Sequence, residues 1–223
     1  MHASAADPTP DFIRSTREGY DAVAHEYAVR YFHELDHKPL DRALLDRLVV
    51  DVGALGPICD LGCGPGEVAY YLQSRGVETV GVDLSPNMVA EARRRCPGLP
   101  FVVGNFLALE FSEAFFGGIA AFYSLIHLPR GRVGEALEEC RRVLKPGGFL
   151  LIGCHVGPGV VHLDEWWGRP VALDFCMFTT DEMETRVREA GLDIVQTVTR
   201  PPYPDIEYQS ERLYVLSRRP ASP

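Results

Sequence analysis

A membrane span is the first thing this chain lacks: no run in its 223 residues reaches the ~20 consecutive apolar residues needed to cross a bilayer. Excess positive charge is missing as well. Lys and Arg number 22 against 31 Asp and Glu, a formal net charge of −9, whereas a nucleic-acid surface needs clustered cations. The one dense basic group, Arg93-Arg94-Arg95, ends a predicted helix, where it complements the helix dipole. No C-x-x-C pair occurs among the six cysteines at 59, 63, 96, 140, 154 and 176. Most lie in apolar runs or on helix faces, so buried reduced thiols are expected rather than disulfides or a zinc site. The acidic, proline-bearing N-terminus carries no basic-then-apolar signal, and internal repeats and low-complexity tracts are absent. The expectation is a cytoplasmic chain with no nucleic-acid and no membrane partner, monomeric or homodimeric.

What is present begins with Ile58-Cys59-Asp60-Leu61-Gly62-Cys63-Gly64-Pro65-Gly66-Glu67. An apolar stretch ends in an acid and runs into glycines spaced G-x-G-x-G, followed by a helix-like segment over 68–75. Without a Cβ, glycine lets a ligand approach the backbone and permits a tight strand-to-helix turn. About twenty residues on, Val77 to Val82 forms a second apolar run ending in Asp83, an acid suited to the two hydroxyls of a ribose. Dinucleotide sites use G-x-G-x-x-G and place a pyrophosphate on the helix N-terminus. Here Asp60 and Glu67 flank the turn, repel a pyrophosphate and suit a ligand carrying an ammonium or a sulfonium.

With 46% hydrophobic residues the chain can bury one full α/β core. Residues 1–14 read as a disordered tail and 15–223 as a single domain. Within it, 15–52 is helical, with Tyr20, Val23, Ala24, Tyr27 and Tyr31 and then Leu40, Leu44, Leu45 and Leu48 at three- and four-residue steps, divided at Pro39. Strands are expected near 57–61, 77–83, 99–103, 118–123 and 148–154, and helices near 66–75, 86–96 and 131–144, the pattern of a parallel sheet covered on both faces. Ser85-Pro86 is a helix start, and Pro146-Gly147-Gly148 a helix stop. Residues 156–178 break the rhythm and read as a cover insertion or loop. A helix from Thr180 then closes at Gly191, and two strands near 192–200 and 207–217, joined by a short Pro-rich link, are expected to be antiparallel.

Three runs together resemble the class I S-adenosylmethionine-dependent methyltransferases: Asp60-Leu61-Gly62-Cys63-Gly64-Pro65-Gly66, Gly81-Val82-Asp83-Leu84-Ser85-Pro86-Asn87-Met88, and Leu144-Lys145-Pro146-Gly147-Gly148. The likeness is to the small-molecule branch that includes ubiquinone and menaquinone methyltransferase-like enzymes. Tyr20-Asp21-x-x-Ala24-x-x-Tyr27 is similar to that branch's N-terminal lid helix, so the similarity spans about 15–218. It implies a Rossmann-like doubly wound seven-stranded sheet, mostly parallel with an antiparallel last strand, under a helical lid. It also implies methyl transfer from S-adenosylmethionine to a small-molecule acceptor, releasing S-adenosylhomocysteine. The alternatives are a regulatory or assembly protein that binds the cofactor without transfer, and an NAD-dependent dehydrogenase.

Carried over by position, Gly62 and Gly64 admit the methionine part of the cofactor and Asp60 orders its amino group. Asp83 takes the ribose, Leu84 and Met88 flank the adenine, and Tyr20, Tyr123 and Ser124 line the pocket. Asn105 stands where the family usually has an acid. Its side-chain oxygen can still accept from the adenine amino group, with Phe106 beside it. His127, after the fourth strand, is a candidate base for an attacking hydroxyl, amine or thiol; alternatively it holds its loop by hydrogen bonding. His155 is a second candidate base. In the insertion, His162 and Asp164 accompany Trp166 and Trp167, which could wall a substrate or pack on their own loop. His33-Glu34-Leu35-Asp36-His37 matches the H-E-x-x-H of zinc-protease helices. Pro39 ends that segment at once, so a solvated helix face is expected there, and no metal.

Overall fold

The central strands are buried along nearly their whole length, so both faces of the sheet they form must be covered, and helices lie on each. In the computed structural model, which describes residues 10–221, helix α1 (Asp11–Tyr31) is followed by a short 3₁₀ turn and by α2 (Pro39–Val52), with Pro39 in its first turn. Strands and helices then alternate: β1 (Ile58–Leu61), α3 (Glu67–Ser74), β2 (Thr79–Asp83), α4 (Pro86–Arg95), β3 (Phe101–Val103), β4 (Phe116–Phe122), α5 (Val133–Val143) and β5 (Leu144–His155). A hairpin of β6 (Val160–Trp166) and β7 (Arg169–Cys176) comes next, then α6 (Thr180–Glu189), β8 (Asp193–Arg200) and β9 (Arg212–Arg218).

Seven strands form one sheet in the order β3-β2-β1-β4-β5-β9-β8. β9 runs antiparallel to both its neighbours, and the other pairings are parallel. Period-two alternation splits β1 cleanly. Cys59 and Leu61 pack with α5 and α6, whereas Ile58 packs with Leu45, Leu48 and Val52 of α2 and Leu72 of α3. All six cysteines are buried and unpaired.

Strand order reverses beside β1, the place where open α/β sheets leave a crevice at the carboxyl ends of their strands. The chain covers that crevice with α1 and the β6–β7 hairpin. Asp21 of α1 docks on the start of α4: its Oδ1 accepts from Ser85 Oγ (2.5 Å) and from the Asn87 amide (3.0 Å). Ser85 caps the same helix by accepting from Met88 N at 3.0 Å.

Two expectations change. Helix α1 begins at Asp11, directly after Pro10, so residues 11–14 belong to the helix and not to a tail; the rest of the tail expectation falls on residues 1–9, outside the described residues. The insertion at 156–178 is a paired hairpin rather than a loop, turned by Trp167 (φ 52°) and Gly168 (φ 75°), both in the left-handed conformation that two-residue hairpin turns favour. No helix among the described residues is long and apolar enough to cross a membrane.

Candidate active site

The glycine turn is built by its own backbone. Gly62 N and Cys63 N both donate to Val82 O, which ties the end of β1 to β2 at 2.7 and 3.0 Å. Gly62 adopts φ 77°, and a Cβ there would stand 2.2 Å from the Ser124 Cβ, so only glycine fits. A Cβ on Gly64 would meet only Tyr27 Cε1 at 3.9 Å, leaving open space on the cavity side.

Around this turn lies a cavity of about 1080 Å³ including its open mouth. It gathers every residue assigned above to the cofactor, and one of the two candidate bases: Tyr20, Asp60, Gly62, Gly64, Asp83, Leu84, Met88, Asn105, Phe106, Tyr123, Ser124 and His127 all line it. His155 does not. Strand β5 places it behind Tyr123, where its ring packs 5.3 Å from that ring and its Nδ1 meets Ser210 Oγ at 2.8 Å. Burial, with Arg212 and Lys38 nearby, pushes the His155 imidazole down to about 3. The candidate base at 155 is therefore corrected to a packing residue.

The carboxylates are crowded. Asp60 Oδ2 accepts from Ala69 N at 2.8 Å, bracing the first turn of α3. Asp83 accepts from Gly64 N through Oδ2 and from Ser85 N through Oδ1, both at 2.8 Å. Burial raises Asp60 to about 7 and Asp83 to about 6, and it holds Glu67 well above the ordinary carboxyl range; the charges of Asp83, Asp21 and Asp60 respectively add to this. Two buried polar atoms of the lining, Glu67 Oε2 and Ser124 Oγ, have no hydrogen-bond partner among the described residues. Concentrated negative charge and free acceptors at a glycine cradle suit a cationic ligand with groups to donate.

His127 touches two elements at once. Its Nδ1 lies 3.0 Å from the Asp174 carbonyl on β7 and its Nε2 lies 2.8 Å from Tyr20 Oη on α1. Burial pushes its imidazole down to about 4. Asn105 departs from expectation in detail: its Oδ1 accepts from Leu107 N at 3.0 Å, so the oxygen expected to face an adenine already serves its own loop. Trp166 and Trp167 stack on each other at 4.7 Å and stand behind the wall rather than in it, Trp166 packing edge-on to Tyr20 (6.0 Å) and Tyr27 (5.7 Å).

The cavity lining also carries residues that sequence reading missed, among them Tyr27 beside the glycine turn and Glu34, Lys38 and Asp41. Lys38 Nζ lies between Glu34 (2.8 Å) and Glu207 (3.2 Å), and Asp41 accepts from Arg200 and Tyr214, both at 2.9 Å. Within the H-E-x-x-H run His33, Asp36 and His37 are exposed, as the solvated-face reading expects, while Glu34 is turned inward beside Lys38, and the run forms a 3₁₀ turn. Tyr27 had a signal in the sequence: Phe12, Thr16, Tyr20 and Tyr27 fall on one helical face.

Residues 58–148 match the model of the methyltransferase domain family. A malonyl-[acyl-carrier protein] O-methyltransferase of Enterobacter lignolyticus is 29% identical over 66% of this chain and 58% of its own length. A demethylmenaquinone methyltransferase of Beutenbergia cavernae is 36% identical over 50% of this chain and 45% of its own. The chain thus spans about half the length of these curated relatives. Among solved structures, magnesium protoporphyrin IX methyltransferase from Synechocystis PCC 6803, determined with bound S-adenosylmethionine, superimposes with a TM-score of 0.72 at 16% identity, covering 96% of this chain and 100% of that one. Residues 58–148 thus match a methyltransferase domain, and the chain shares the fold of a methyltransferase structure determined with bound S-adenosylmethionine.

Proposed function

We propose that the chain transfers the methyl group of S-adenosylmethionine to a small-molecule acceptor by in-line displacement, releasing S-adenosylhomocysteine. One observation carries this reading: the glycine turn and the acids at the tips of β1 and β2 open into a single cavity whose lining is short of positive charge. The small-molecule class of acceptor is supported by the relatives, whose names are those of enzymes acting on a malonyl carrier and a demethylmenaquinone.

When bound, the cofactor supplies a methyl group already activated by a sulfonium. The work left to the chain is alignment and exclusion of water. Gly62 and Gly64 admit the amino-acid part against the backbone, and Asp60 with Glu67 supplies its anionic surroundings. Asp83 accepts from the ribose hydroxyls, while Leu84, Met88 and Phe106 give the adenine an apolar slot. Tyr123 and Ser124 close the side nearest the acceptor, and α1 with the hairpin roofs the site.

Calorimetry and a labelled-methyl assay test the proposal. Binding of S-adenosylhomocysteine without binding of NAD, together with transfer to at least one member of a panel of phenols, alcohols, amines, thiols and quinone precursors, is the expected result. Failure to bind S-adenosylhomocysteine removes the reading altogether. Binding without transfer to any member leaves a cofactor-binding protein in its place.

A further inference from the structure

Three elements from distant parts of the chain meet at His127. Tyr20 comes from α1, His127 from the turn after β4, and Asp174 from β7 of the hairpin. A carbonyl oxygen can only accept, so the 3.0 Å contact from Nδ1 to the Asp174 carbonyl puts the ring proton on Nδ1. Nε2 then holds a lone pair, and the 2.8 Å contact with Tyr20 is the phenol donating to it. Tyr20 and His127 both line the cavity, and a phenol oxygen that donates once still has acceptor capacity to offer there. The arrangement is held rigidly: Tyr27 and Trp166 pack edge-on to the Tyr20 ring at 5.9 and 6.0 Å, and Phe175 packs on His127 at 4.8 Å.

We propose that Tyr20 and His127 form a proton relay. The Tyr20 hydroxyl takes a proton from the acceptor while passing its own to Nε2 of His127, and the acceptor atom is a hydroxyl oxygen. The inference rests on the methyl-transfer reading above and names its substrate class. The bonds balance. The acceptor O–H bond breaks as a Tyr20 O–H bond forms, and the old Tyr20 O–H bond breaks as Nε2–H forms. The electron pair freed on the acceptor oxygen makes the bond to the methyl carbon of the sulfonium donor, and the carbon–sulfur pair stays on sulfur. The positive charge thereby passes from sulfur to the imidazolium, whose Nδ1–H the Asp174 carbonyl continues to accept. The acceptor class follows from need: thiols and amines lose their proton within a few pH units of neutrality, whereas an alcohol's proton is far harder to remove and gains most from a positioned base.

Burial supports the arrangement in two ways. It keeps His127 neutral at neutral pH, so that Nε2 accepts from Tyr20, though at a cost in basicity, and it raises Tyr20 so that no standing phenolate competes with the relay. The groups facing His127 are Tyr20 from α1, the carbonyl of Asp174 from β7 together with that residue's carboxylate, whose charge opposes the effect of burial, and, more distantly, His155 at the end of β5.

The test compares wild type with Tyr20→Phe, which keeps the ring and its packing, and with His127→Gln. Histidine-labelled, unliganded protein is titrated by NMR. Wild-type His127 should show the Nδ1–H tautomer, and Tyr20→Phe should raise its titration midpoint, because removing the donor destabilises the neutral ring. The opposite tautomer or an unmoved midpoint overturns the relay. In single-turnover assays on alcohols and phenols of graded acidity, Tyr20→Phe should lose roughly 10²-fold or more on weakly acidic hydroxyls and little on phenols already ionised. His127→Gln and the double variant should lose about as much as Tyr20→Phe, since the two residues act as a unit. S-adenosylhomocysteine affinity should stay within about threefold throughout. Full activity of Tyr20→Phe on an alcohol, equal loss on ionised acceptors, or transfer by wild type to carbon or amine acceptors alone overturns the relay and leaves the methyl-transfer reading standing. Loss of S-adenosylhomocysteine binding by wild type overturns that reading instead.

Discussion

Asp83 holds two backbone amides, those of Gly64 and Ser85, and still faces the cavity. A ribose hydroxyl donating to this carboxylate forms a charge-assisted hydrogen bond worth roughly 1.5–3 kcal/mol. Asp83→Ala should therefore weaken S-adenosylhomocysteine binding at least tenfold by calorimetry. Asp83→Asn keeps an acceptor for one amide and separates turn geometry from ribose contact. Unchanged affinity in both variants would confine Asp83 to shaping the turn. Residues of this kind were legible in the sequence because their roles follow from local backbone. Gly62 must be glycine for its own φ and for Ser124, and an acid at the tip of β2 faces the crevice wherever β2 pairs with β1. His155 misled because a residue at the end of β5 can face either the crevice or the layer behind it, and pairing with β9 decides which.

At the scale of elements, what escaped the sequence was held in place by distant partners. Nothing near 156–178 alternates strongly enough to announce strands, and the β6–β7 hairpin pairs only with itself before packing on α1. The charged end of the cavity is similar. Asp41 and Arg200 are 159 residues apart, and Lys38 meets Glu207 only because α2 packs beside the link between β8 and β9. Against the opposing effect of burial, Arg200 and the Tyr203 amide, helped by Lys38 and Arg212, hold the Glu207 carboxyl down at about 2. A depressed carboxyl contributes stability above its unfolded value that is lost as pH falls through the folded one. Arg200→Met leaves Asp41 and Glu207 buried without their main partner. It should cost about 3–5 kcal/mol in urea unfolding at pH 7. A cost below ~1 kcal/mol would mean that Lys38, Arg212 and Tyr214 hold the cluster without it.

The molecule as a whole sets a depressed carboxyl, Glu207, behind a cavity whose lining carboxyls Asp60, Glu67 and Asp83 are raised. The Glu207 cluster is internally paired, whereas Asp60 and Asp83 accept from backbone amides and Glu67 is reached, among the described residues, only by the positive charge of Lys38, itself paired with Glu34 and Glu207. For a carboxyl raised by burial, the folded state binds the proton more tightly than the unfolded chain, so its contribution to stability is present at low pH and lost as pH rises through the folded value. With Asp60 at about 7 and Asp83 at about 6, against 3.8 for each when free, the unliganded protein should lose stability between about pH 4 and 7. A bound α-ammonium reverses the sign, because it favours the ionised carboxylates and lowers their values. Binding of S-adenosylhomocysteine should thus strengthen from pH 5.5 to 8 and release protons at pH 6.5, a release measurable by calorimetry in buffers of different ionisation enthalpy. Asp60→Asn, which can still accept from Ala69 N, should reduce that release and make the unliganded protein's Tm less sensitive to pH. Affinity independent of pH with no proton release would mean that the acidic wall does not meet the ligand's cation. The case for a cationic cofactor would then rest on the glycine cradle alone.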